Sequence, residues 1–113
     1  MTTIPIEITI VCVGSRWQLV VEGEVDLRTG RDIADVAAAL ARAGVAAADI
    51  DLSAVSFVDT AGWRAVGAAR AALEASGAAT SVLGGLATER LLGALSAASG
   101  SPEGPRPAAA TGR

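Results

Sequence analysis

The sequence has no histidine and no lysine, a single cysteine, and only 3% aromatic residues. Without histidine there is no Ser-His-Asp nucleophile system, no His-ligated zinc and no side chain that titrates near neutrality unperturbed. Without lysine there is no Walker-type phosphate loop, and no G-x-G-x-x-G segment replaces it. One cysteine excludes an internal disulfide. Cys12 lies in an alternating apolar run, so it is expected to be a buried core thiol rather than a nucleophile. No apolar stretch reaches the ~20 residues of a membrane helix. The first ten residues carry Glu7, no basic residue and no long apolar core, unlike a signal peptide, so a cytoplasmic location away from membranes is expected. The scarcity of aromatics leaves Val, Leu and Ile to build the core, packed against small-residue helix faces.

The net charge is −3, and all nine basic residues are arginines scattered along the chain. A basic stripe able to release counterions from nucleic acid is missing, so no direct DNA or RNA binding is expected. With 113 residues, 51% of them hydrophobic, the chain suits one folded domain rather than a disordered segment. Three of its four prolines fall after Ser99, among glycine and serine. The expected organisation is a domain over 1–98 and a disordered tail over 99–113.

Ile6 to Val13 alternates with period two, which predicts a strand with one buried face. Gly14-Ser15-Arg16 turns the chain into a second run from Trp17 to Glu24, forming an antiparallel hairpin. From Ile33 the apolar positions are 33, 36, 37, 40 and 41, the stripe of an amphipathic helix. Asp26 or Thr29 is suited to cap its start and Gly44 to end it. Ala48 to Leu52 reads as a short central strand, with Ser53 to Val58 leading on to Asp59. A second helix is expected from Thr60 to Ser76, its inner face at Ala61, Ala65, Ala68 and Ala72 with Val66 and Leu73 beside them. A strand at Thr80–Gly84 and a helix at Thr88–Ala97, apolar at Leu91, Leu92 and Leu95, complete the order β-β-α-β-α-β-α. Right-handed crossovers then give an α/β fold: a small mixed sheet opening on a β-hairpin, with helices mainly on one face.

In such units, function gathers where parallel strands end and helices begin. Asp59-Thr60-Ala61-Gly62 occupies that place. Asp59 or Thr60 can cap the following helix, and open N–H groups with the helix dipole favour added negative charge. A phosphate on Thr60 would add roughly −1.5 to −2 charges beside Asp59. Capping alone, with no signalling role, is equally served by these residues.

Gly23-Glu24-Val25-Asp26-Leu27 and the segment from Asp49 to Gly62 (DIDLSAVSFVDTAG) together resemble the STAS domain, the sulphate transporter and anti-sigma factor antagonist family. The likeness spans about residues 6–97. It implies a stand-alone antagonist that binds an anti-sigma factor, itself a serine/threonine kinase, and so frees a sigma factor. Phosphorylation at Thr60 would switch the antagonist off, and a phosphatase would reset it. The same resemblance implies a docking surface of Asp26, Asp59, Thr60, Ala61, Gly62, Trp63 and Arg64, with Gly62 admitting a partner's backbone. Thr60 stands where the family more often has Ser, Trp63 and Arg64 where it has Leu and Gly, and its last strand and helix find no counterpart. Trp63 is either an interface anchor or folded back on the core. The alternative is a STAS-type scaffold that is never phosphorylated. An enzyme is not expected, and neither a cofactor nor a metal is implied: Asp49 and Asp51 read as a solvated strand face, and pairing Asp26 with Asp59 recruits no further catalytic group.

Overall fold

The structure, a computed structural model, describes residues 6–98. The first five residues of the expected domain and the whole expected tail lie outside the described residues. Strands β1 (Glu7–Val13), β2 (Arg16–Val25), β3 (Ala47–Val58) and β4 (Ala79–Leu83) alternate with helices α1 (Leu27–Arg42), α2 (Thr60–Ala75) and α3 (Leu86–Ala98). They form a four-stranded sheet in the order β1-β2-β3-β4, antiparallel in the hairpin and parallel thereafter. This is the mixed α/β architecture expected from the sequence.

The core forms where α1 and α2 cover β2 and β3. Leu19, Val21, Ile50, Leu52, Ile33, Val66 and Leu73 are all fully or almost fully buried there. Gly44 takes a left-handed φ of 73° just after α1 ends, a conformation that glycine adopts without a Cβ penalty.

Four readings of the pattern are corrected. Cys12 is exposed, as is Ile10, because β1 is the sheet edge and the helices lie over β2, β3 and β4. The stretch Ser53–Val58 is strand, so β3 is one twelve-residue element rather than a short strand followed by a loop. Register shifts between Val20 and Glu22 and between Gly23 and Glu24 change the side-chain phase there, which hides the alternation. In α2 the buried stripe is Gly62, Val66, Ala69 and Leu73, not the 61-65-68-72 face. The branched Val66 and Leu73 bury more apolar area than alanines, and they set the helix rotation. In α3, Ala87 and Thr88 face inward while Leu92 and Leu95 stay exposed, since the helix leans by one flank on the far half of β3. β4 pairs with β3 only as far as Asp51, which leaves that half free to receive α3.

Candidate functional site

The parallel pair β2/β3 ends in register, Val25 opposite Val58. The next residue on each strand is therefore an aspartate at the same sheet edge, and each aspartate caps a helix. The Asp26 carboxylate accepts from the Thr29 amide at 2.9 Å, and the Thr29 hydroxyl accepts from the Asp26 amide at 2.9 Å, closing a capping box. The Thr29 hydroxyl in turn donates to the Glu24 carbonyl at 2.8 Å. The Thr29 amide, and after it the Thr29 hydroxyl 3.1 Å from the carboxylate, hold the Asp26 carboxyl below the usual carboxylate range. Asp59 accepts from the Gly62 amide at 2.7 Å and donates its own amide to the Val25 carbonyl at 3.1 Å. Of the two cap candidates for each helix, Asp26 and Asp59 hold the role. Thr29 completes the first box, and Thr60 is left as the first residue of α2.

Thr60 is exposed, and so is Arg64 one turn further on. Asp26, Asp59, Ala61 and Trp63 are partly buried around them. Trp63 packs against the hydrophobic core, so the folded-back alternative describes it. Gly62 is buried, and a Cβ there would lie 2.7 Å from the Val25 carbonyl carbon. The close approach that Gly62 permits is therefore α2 on β2, within the molecule, rather than that of a partner's backbone. Gly30 plays the matching part for α1, where a Cβ would come 2.6 Å from the Ala65 Cβ. These two close approaches draw the starts of both helices together, with Thr60 next to the Asp59 cap.

A charged contact between β2 and β3 left almost no trace in the sequence. Arg16 grips Asp49 with both arms of its guanidinium, at 2.6 and 3.1 Å, so Asp49 is a buried, paired group and not a solvated one. The Arg16 hydrogen bonds hold the Asp49 carboxyl below its ordinary value despite burial. The only signal in the sequence was a carboxylate set among the apolar residues of Ala47–Leu52. Among the described residues no cluster of three or more metal-binding side chains occurs. No helix of the described residues is long and apolar enough to cross a membrane.

No family model matches the chain, and no curated protein does. Solved structures do match. An anti-sigma factor antagonist from Mycobacterium paratuberculosis is 25% identical at a TM-score of 0.67, covering 86% of this chain and 83% of its own. An antisigma-factor antagonist STAS domain from Rhodobacter sphaeroides is 20% identical at 0.59, covering 71% of this chain and 87% of its own. The anti-sigma factor antagonist SpoIIAA in its unphosphorylated form is 22% identical at 0.60, covering 76% and 80%. A part of the larger protein Mglu also matches at 23% identity and 0.60, but this chain spans only 18% of that length. The chain has the STAS fold that these antagonist structures share.

Proposed function

We propose that this STAS-fold chain is an anti-sigma factor antagonist acting in the cytoplasm. In its unphosphorylated form it docks an anti-sigma factor kinase and so frees a sigma factor. Phosphorylation of Thr60 ends the docking, and a phosphatase restores it. The observation that carries this reading is the exposed Thr60 hydroxyl at the start of α2, in the position that the STAS motif gives its acceptor. The docking surface comprises Thr60 and Arg64 at its centre, with Asp26, Asp59, Ala61 and Trp63 around them; Gly62 shapes it from beneath. A dianion at Thr60 would add charge beside Asp59, already engaged in the cap, and desolvating that charge against a partner is costly. The chain is a binding module and a kinase substrate in this account, not an enzyme.

Incubation with ATP, Mg²⁺ and the anti-sigma factor kinase captured by the chain tests the reading. Peptide mapping should place a single phosphate on Thr60, and Thr60→Ala should remove it. A captured partner that never labels Thr60 would leave the chain as an unphosphorylated scaffold.

A further inference from the structure

A groove of about 300 Å³ opens between the end of β3 and α3. Phe57 and Val58 form its strand wall, and Ala87, Arg90, Leu91 and Ala94 its helix wall. We propose that this groove binds a small amphipathic monocarboxylate. The tail would lie on Phe57, Leu91 and Ala94, and the carboxylate on the Arg90 guanidinium. This site is separate from the capped turns around Thr60 and does not depend on their being a switch.

The groove's volume sits at the lower end of ligand pockets, the size of a short-chain acid rather than of a nucleotide or a folded peptide. Its lining is almost wholly carbon, and Phe57 is 50% exposed, so an apolar occupant would remove a large ring from water. The head group follows from charge. Arg90 is the one ionisable residue lining the groove, and among the described residues it makes no ion pair or hydrogen bond. The remaining polar wall residue, Ser56, already donates its hydroxyl to the Gly23 carbonyl at 3.2 Å. A guanidinium presents two parallel N–H groups that match one carboxylate. A phosphate dianion would keep a charge unbalanced on an apolar wall, and an ammonium would find no acidic partner there. Because Phe57 and Val58 run directly into Asp59 and Thr60, a bound acid would abut the strand end that presents the hydroxyl.

The full-length chain titrated with octanoate, below micellar concentrations, tests the site by amide and methyl NMR. Saturable shifts are expected at Phe57, Leu91 and Ala94. Arg90→Gln should weaken the dissociation constant by about tenfold or more, the usual scale for losing a charge-assisted contact. Ala94→Leu, which fills the groove from an exposed helix position, should abolish the shifts, and octylamine should produce none at these residues. Octanoate binding equally well to the Arg90→Gln chain, 1-octanol binding as tightly as octanoate, or no saturable shift at all would each overturn the proposal.

Discussion

Gly62 and Gly67 sit five residues apart on one helix and face opposite consequences if a methyl is added. At 62 the new Cβ would press on the Val25 backbone, which cannot move without disturbing the β2/β3 ladder. At 67 nothing lies within 4 Å. Gly62→Ala should therefore destabilise the fold by about 1–3 kcal/mol through overpacking. Gly67→Ala should stabilise it by up to about 1 kcal/mol through helix propensity. Urea unfolding of the pair checks both signs. Asp49 offers a test by acid. Its carboxyl lies below the usual range because Arg16 donates to it, so the unfolded chain binds that proton more readily than the folded one. The resulting stability is full above the unfolded carboxylate value of about 4 and disappears as pH falls through the lower folded value. Asp49→Asn should flatten the acid limb of the stability curve in that window, as followed by circular dichroism; an unchanged limb would remove Asp49 from the account.

At the level of elements, the start of α2 hangs on one cap. Asp59→Ala frees the Gly62 amide and should cost about 1 kcal/mol of stability. Amide exchange should quicken in the first turn of α2 and not in its last, a distinction that a general loss of stability would not produce. Most elements were legible because their pattern was local: the alternation of β1, the 33-36-37-40-41 stripe of α1, and the glycine that ends it. The illegible parts have identifiable causes. Ser53 to Val58 did not read as strand because two register shifts put extra residues into this half of β3 and break its period of two. The face of α2 was misplaced by taking alanines as the seam, when a glycine under β2 and two branched residues decide the rotation. Cys12 has the right phase to be buried but no helix above it, a fact of tertiary coverage that no window of sequence contains.

For the molecule as a whole, the order of elements and the handedness of crossovers were enough to give a small mixed sheet opening on a hairpin, though not the order of its strands. The site needed more. Asp26 and Asp59 are neighbours only because β2 and β3 finish level, and the Arg16–Asp49 pair joins residues 33 apart in the chain. Such long-range pairings leave little trace in composition or period, whereas the two capped turns were readable through motif and spacing. The fold ends both parallel strands level and leaves Thr60 exposed just beyond β3, so in the proposed switch one covalent dianion there would act on docking without rearranging the core. Isothermal titration of the unphosphorylated chain, Thr60→Ala and Thr60→Glu against the captured anti-sigma factor kinase tests that claim most directly. Wild type and Thr60→Ala should bind alike, and Thr60→Glu at least about tenfold more weakly, a difference of about 1.4 kcal/mol. Equal affinity of all three, with the Thr60→Glu chain folded, would contradict it.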